Sequence, residues 1–383
     1  MTHPADRLAF DRAMVTQPVW NGFATGAFLG MAENALLHAG PAFSSVEHVP
    51  TPVLNSACVA AVYEGLARDF DQAEAMIRAG EITLHPAQDM GVVTPLAAVV
   101  SASMPLHAVY DVWKGTARAY APINGGARPS LRLGLRSEAV LGHIRWLNTE
   151  VRDALREGLA EGIALVPLAV EGLQGGDDCH GRTPVAGAAL VDELVFRSRR
   201  PTDPDVLEFM RASPSLFLNL WMAATKCMML AASGVAGSGF VTAATGNGRN
   251  VGIQVSGLPG HWFTVPADAP KGEFDVDLPE DRALGAIGDS AVVDAFGLGA
   301  MFKATNASST ADARTGLSVG THPYFRAMDV QLGTSARKAI ELGKGPTISL
   351  GIIDRLGEAG RLGGGLYDMP VDPFVDAVRA LDT

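Results

Sequence analysis

The chain has 383 residues, of which 48% are hydrophobic and 19% charged, with a mean hydropathy of +0.17 and a formal net charge of −11. That length is generous for one core, so two or three subdomains are expected, and so apolar a balance implies extensive burial that includes subunit contacts. An acidic chain without clustered Lys or Arg argues against a nucleic-acid partner and leaves a small molecule or another protein.

Cys58, Cys179 and Cys227 are too few and too scattered for a disulfide framework or a zinc knuckle, and no signal sequence precedes the first helix-like stretch. A reducing, cytoplasmic setting is expected. The most apolar run, Leu216 to Val235, contains Asn219, Lys226 and Ser233, which makes it a buried helix rather than a membrane span.

In chain order, Leu8, Phe10, Met14 and Val15 predict a short amphipathic helix, followed by a small buried element around Val19 and Trp20. Leu36 to Pro41 ends in a turn signal, and His38 beside its hydrophobic pair is expected in the core. From Asn55 or Ser56 the positions Val59, Val62, Leu66, Phe70, Ala73 and Ile77 predict one helix, stopped by Gly80. Glu81 to His85 alternates like a strand and runs into Gln88 and Asp89. Val92 to Val100 is expected as a buried strand with a break at Pro95. Polar groups at strand ends make His85, Gln88 and Asp89 site candidates, with loop satisfaction the simpler role for Asp89.

Ala121 to Gly126 is a loop in which Asn124 and paired Gly permit unusual backbone, and it marks a boundary. Val140, Ile144, Leu147, Val151, Leu155 and Leu159 make one helical stripe, and Ile163 to Val170 is expected as a short buried strand around Pro167. Pro201 to Pro204 turns into a short helix. Beyond the long apolar helix, segments at 239–245, 251–255 and 262–265 predict three antiparallel strands, with Asn247-Gly248 as a hairpin signal. Asp289 or Ser290 caps an apolar helix from Ala291. Thr347 to Ile353 is strand-like, Gly363 to Gly365 is expected as a turn, and an amphipathic helix closes the chain. The fold class is α+β: mixed sheets with a helical middle subdomain, divided as 1–130, 131–229 and 230–383.

One stretch concentrates chemistry. Gly172 to Pro184 delivers Asp177, Asp178, Cys179, His180 and Arg182 in close succession, after which Thr183 and Pro184 have the character of an N-cap and first helical residue. A helix N-terminus favours an anion through its free N–H groups and dipole. Arg182 supplies a fork for carboxylate or phosphate oxygens and His180 a proton donor or acceptor. A capped loop with solvated charges is the alternative. Walker loops, Gly-x-Ser-x-Gly elbows, His-Glu-x-x-His and Gly-x-Gly-x-x-Gly runs are all missing from the sequence, which leaves little support for nucleotide hydrolysis, zinc proteolysis or nicotinamide chemistry.

Taken together, several segments resemble the YlbE/YahG-like proteins, a family that includes the large subunit of catabolic oxamate carbamoyltransferase. The matching pieces are Leu36 to Pro41, Leu84 to Asp89 with Val93 to Leu96, Gly176 to His180 with Arg182, Gly246 to Gly248 with Gly252 to Gln254, Trp262-Phe263 before Pro266, and Gly288 to Ala291. They fall in the family's order over most of the chain. Departures are Gly-Arg-Thr-Pro after His180, where an Asn-Arg-Asn type run is expected, and Val293 and Asp294, where Thr and Glu are usual.

The resemblance implies transfer of a carbamoyl group between phosphate and a small amide or ureido acid, oxamate or oxalurate in the named case. It needs fixed donors more than a cofactor, and no cofactor or metal is assigned; an oxygen-rich metal site at Asp177, Asp178 and His180 stays open, without diagnostic spacing. The candidate catalytic residues are His180, Asp177, Asp178 and Arg182, with Arg182 and the N–H groups after Thr183 holding the anion and Asp177 or Asp178 orienting ureido N–H groups. Gln88, His85, Asn247, Asp289 and Ser290 complete the set as substrate-binding candidates. Expected partners are a small anionic substrate, phosphate or carbamoyl phosphate, and further subunits, of the same kind or different; no membrane is expected. Two other classes remain: an amide or ureido hydrolase with Cys179 as nucleophile and His180, His85 or His261 as base, and a scaffold subunit for an acyl-CoA-synthetase-like companion.

Overall fold

The computed structural model describes residues 2–115, 117–126, 129–302, 316–328 and 330–383. Helix α1 (Pro4–Met14) carries its proline in the first turn, where no N–H is needed, and buries Phe10. Strand β1 (Pro18–Thr25) leads to β2 (Ala35–His38), whose four residues are all buried.

The single helix expected from Asn55 to Gly80 is two helices, α2 (Thr51–Glu64) and α3 (Phe70–Arg78). Gly65 stops the first in a left-handed conformation, its N–H on the carbonyls of Ala61 and Val62, and the Asp69 side chain accepts from the N–H of Gln72 to start the second. The apolar spacing ran through the break because both helices face the same core, where Val59, Ala73 and Ile77 meet.

β3 (Thr83–Pro86) follows, but Val92 to Val100 is a strand only at β4 (Val99–Val100). Ahead of it Leu96 adopts φ 47°, which a continuous strand cannot accommodate. β3 and β4 flank β2, the first parallel to it and the second antiparallel. β5 (Pro105–Asp111) and β6 (Arg118–Pro122) join β1 in an antiparallel sheet.

The helical stripe from Val140 divides into α4 (Glu138–Trp146), a π turn over Leu147–Val151, and α5 (Arg152–Glu157). Ile163 to Val170 departs from expectation: only β7 (Ile163–Ala164) is extended, and Leu165 opens α6 (Leu165–Gln174). Pro167 misleads because the first turn of a helix tolerates proline as readily as a strand edge does. α7 (Pro184–Arg197), α8 (Pro204–Arg211) and the apolar α9 (Ser215–Ala231) follow. α9 packs on β1, β5 and β6 at one side and on β8 at the other. Its Lys226 is buried and donates from Nζ to the carbonyl of Thr242 at 3.0 Å. Among the described residues no helix is long and apolar enough to cross a membrane.

The expected antiparallel strands are β8 (Val241–Asn247), β9 (Asn250–Val255) and β10 (Phe263–Pro266), with a hairpin at Gly248, φ 83°. β11 (Lys271–Phe274) and β12 (Ile287–Gly288) precede α10 (Ala291–Phe296), and β12 pairs with β8. Then come β13 (Ser318–Thr321), β14 (Gln331–Thr334), α11 (Ala336–Leu342), β15 (Thr347–Ile353), β16 (Arg361–Asp368) and α12 (Asp372–Leu381). The glycines 363–365 are not a turn but lie inside β16. A Cβ on Gly363 would come within 2.0 Å of the Glu273 carbonyl oxygen on β11, so glycine allows the two backbones to meet. The mixed small sheets and interleaved helices are the α+β arrangement anticipated.

Behind β15, buried Asp354 accepts from Arg282 Nε at 2.8 Å and Nη2 at 2.7 Å, and from the N–H groups of Leu356, Glu358 and Ala359. Burial alone would raise its pKa, but these donors hold the carboxyl well below the usual range. Asp354→Ala should therefore cost roughly 3–5 kcal/mol in urea unfolding at neutral pH. The loss is fully present above the ordinary Asp value of about 3.9 and fades as pH falls through the depressed folded value. A variant as stable as the parent at pH 7 would contradict the assignment.

Candidate functional site

The loop after α6 is shaped by its own carboxylates. Asp177 folds back to accept from the N–H groups of Val185 at 3.3 Å and Ala186 at 2.8 Å, the free donors of the first turn of α7. Asp178 accepts from the N–H groups of His180 at 2.7 Å and Arg182 at 2.9 Å. Thr183 occupies the N-cap position, yet its hydroxyl donates to the carbonyl of Pro214 at 2.9 Å and caps nothing. The N-terminus of α7, expected to receive an outside anion, is thus already occupied by the chain's own Asp177.

These bonds decide what the loop presents. Cys179 sits at φ 65°, its thiol fully buried and 3.7 Å from the carbonyl of Ala169. Burial, then the charges of Asp177 and Asp178, push the thiol pKa well up. His180 turns the other way, into a cleft of about 1120 Å³ that Arg182 also lines. Its Nδ1 contacts Oδ2 of Asp294 on α10, and no hydrogen bond to Nε2 occurs among the described residues. Burial alone would lower the pKa of His180; the Asp294 carboxylate overcomes this and raises it.

The cleft gathers residues from distant parts of the chain. Arg132, after the loop at 121–126, donates from Nη1 to Asn124 Oδ1 at 2.9 Å, Ser130 Oγ at 2.9 Å and the Gly125 carbonyl at 3.2 Å, and from Nη2 to the Gly126 carbonyl at 2.6 Å. Every one of these acceptors is neutral. Burial, aided by the nearby charge of Arg361, lowers the Arg132 pKa to about 10. Arg361 enters from β16 and pairs with Asp275 at 2.6 Å on the exposed side. Among the described residues lining the cleft are three arginines and one histidine, and no Asp or Glu.

Of the residues singled out in the sequence, His180, Arg182 and Ser290 line this cleft. Asp289 lies fully buried behind it, accepting from Gln88 Nε2 at 2.8 Å, Thr245 Oγ1 at 2.6 Å, the Thr94 N–H at 2.8 Å and Thr94 Oγ1 at 3.1 Å, with the Gly40 N–H at 3.4 Å. Its carboxylate caps no helix, and neither does Ser290. The amide nitrogen of Gln88 donates to Asp289 and to the Ala244 carbonyl. Asn247 donates to the carbonyl of Pro41 and accepts from the N–H groups of Arg249 and Asn250, deep in the hairpin. His85 is exposed, against Thr83 Oγ1 at 2.9 Å. Asp89 accepts from Gln254 and Trp262 side chains rather than from its loop, and His38 is a core residue as expected.

The sequence does not single out Arg132 and Arg361, which line the cleft, or Asp294, which meets His180, as candidates. Only Asp294 carried a signal, as one acid in the middle of an apolar helical run. No group of three or more metal-ligating side chains converges among the described residues.

Fold and cleft define a class: an α+β protein of small interlocked sheets with a cationic, histidine-bearing cleft. The chain belongs to the family described as oxamate carbamoyltransferase subunit AllG, whose model matches residues 82–290, a span holding Arg132, His180 and Asp289. It is 32% identical over 375 residues to the oxamate carbamoyltransferase subunit AllG of Escherichia coli (strain K12), covering 90% of this chain and 88% of that relative. The uncharacterized protein YahG of the same organism is 32% identical over 363 residues, covering 92% of this chain and 74% of its own. A crystal structure of a conserved protein of unknown function from Enterococcus faecalis V583 matches with a TM-score of 0.91 and 27% identity, covering 99% of this chain and 97% of that one.

A hydrolase using Cys179 as nucleophile loses its geometry, since the thiol is not among the groups facing the cleft. In the folded chain Cys179 should resist iodoacetamide at neutral pH and react only after denaturation, as followed by peptide mass spectrometry. Rapid alkylation of the native protein at Cys179 would overturn this placement.

Proposed function

We propose that this chain is the subunit of a multi-subunit carbamoyltransferase in which a carbamoyl group passes between phosphate and a small amide or ureido acid of the oxamate–oxalurate type, and that the transfer takes place in the cationic cleft. One observation carries the assignment. In a chain of net charge −11, this cleft collects three arginines and a histidine without one lining carboxylate. An unpaired guanidinium in a partly dry site is costly until an anion arrives. The reaction brings two anions together, the acid's carboxylate and phosphate.

In the phosphorolytic direction a phosphate oxygen forms a bond to the ureido carbon, charge builds on the carbonyl oxygen, and the carbon–nitrogen bond to the departing amide breaks. The departing nitrogen takes a proton from Nε2 of His180, which is restored by the proton of the incoming hydrogen phosphate. Arg132, held rigidly by its neutral acceptors, anchors one anion; Arg182 and Arg361, nearer solvent, draw in the other. Fixed guanidinium groups cost no reorganisation as charge develops, which is where such a site gains its rate. Asp177 and Asp178 contribute by holding the loop that aims His180 and Arg182, and Asp289 by fixing the start of α10 beside Ser290.

Arg132→Ala should weaken inorganic phosphate or oxamate binding by tenfold or more in titration calorimetry, since a hydrogen bond to a charged group contributes about 1.5–3 kcal/mol. His180→Gln should bind both ligands but slow phosphate-dependent release of oxamate by roughly 10²- to 10⁴-fold. Unaltered affinity in the first variant would remove the cleft as the anion site.

A further inference from the structure

The described contacts of His180 lead to one residue outside the loop. Asp294 stands on α10, 114 positions along the chain, with its carboxylate fully buried. Oδ2 meets Nδ1 of His180, while Oδ1 accepts from the N–H groups of Ala300 at 2.8 Å and Ser349 at 3.3 Å. Two backbone donors from separate segments therefore stop the carboxylate from rotating. The close approach is permitted by Gly299 at φ 57°, where a Cβ would lie 2.4 Å from Asp294 Oδ1 and 2.7 Å from the Cβ of His180. A buried carboxylate held this way against an imidazole selects the ring form with its proton on Nδ1.

We infer that Asp294 is the positioning residue of the site, fixing His180 with Nδ1–H on the carboxylate and Nε2 toward the substrate. This rests on the carbamoyl-transfer reading for its reaction, but not for its geometry. In the transfer, His180 enters with protons on both nitrogens. Nε2 gives one to the departing amide nitrogen as the carbon–nitrogen bond breaks and its electron pair moves to nitrogen. The ring is left with its proton on Nδ1, as the neutral form Asp294 favours, and Nε2 recovers a proton from the hydrogen phosphate whose oxygen now bonds the carbamoyl carbon. The charged groups around the ring are Asp294, Asp178 on its own loop, and Arg132, Arg182 and Arg361 in the cleft. The arginines oppose the protonated form and the two aspartates support it.

The test uses the full chain with its companion subunits and two variants, Asp294→Asn and Asp294→Glu. Asp294→Asn should lower kcat by about 10²- to 10⁴-fold, leave the KM for phosphate within a few-fold, and move the pH midpoint of kcat downward; Asp294→Glu should recover much of the rate. Nitrogen NMR of the histidine-labelled chain alone, with His180 assigned through its Gln variant, should show the neutral ring protonated on Nδ1 and a titration midpoint above the ordinary value of about 6.5. A native spectrum with the neutral ring's proton on Nε2 overturns the inference even where Asp294→Asn fails to fold. Turnover with an unmoved pH profile in Asp294→Asn overturns it too, and leaves carbamoyl transfer standing. The expected NMR signature without carbamoyl transfer in any mixture sinks the reaction instead, while the Asp294–His180 pairing survives.

Discussion

The site depends on one buried carboxylate. Asp289 is removed from water and receives donors from Gly40, from Gln88 and Thr94, and from Thr245, three separate stretches of chain. Burial pushes its pKa up and the donors pull it back, so the group acts as a knot only while every partner is in place. It stands immediately before α10, and its N–H bonds the carbonyl of Thr94. The knot thereby sets both the position and the rotation of a very short helix. Ser290 follows into the cleft, and Asp294 arrives on the side where His180 waits.

The electrostatics of the cleft follow from where the acids are placed. Asp177 and Asp178 stand close to Arg182 in sequence, but each side chain turns to backbone N–H groups and neither lines the cleft. Asp294 is committed to His180, and Asp275 meets Arg361 only on its exposed side. What remains facing the cleft is positive. A unit charge pair at 4 Å is worth about 4 kcal/mol at an effective dielectric of 20, so the nearby guanidinium groups of Arg132 and Arg182 outweigh the distant negative charge of the chain, which salt and solvent screen.

Elements whose stop and start signals are local were legible from the sequence. Thr183-Pro184 marked α7, Asn247-Gly248 the hairpin, and polar residues inside an apolar run identified α9 as buried. The misreadings share a cause: periodicity reports which face is buried and not whether the chain is continuous. The stripe from Val59 to Ile77 passes over the stop at Gly65, and β5, buried on both faces, has no alternation to betray it. The glycines of β16 look like a turn until β11 is known to lie against them. Arg132 and Arg361 could not be found at all, because what distinguishes them is the lack of a lining carboxylate, a property of assembled space.

The dense polar loop brings His180 and Arg182 to the cleft, and its residues divide their work. A carboxylate two or three positions from a histidine in sequence is well placed to fold the loop and poorly placed to orient the ring, because neighbouring residues seldom face each other. Orientation has to come from another element. It comes from α10, where the resemblance leads one to expect Glu and this chain has Asp294. With a side chain one methylene shorter, the backbone that carries it must stand closer to the ring. Gly299, whose missing Cβ would otherwise occupy the gap between Asp294 and His180, makes that approach possible.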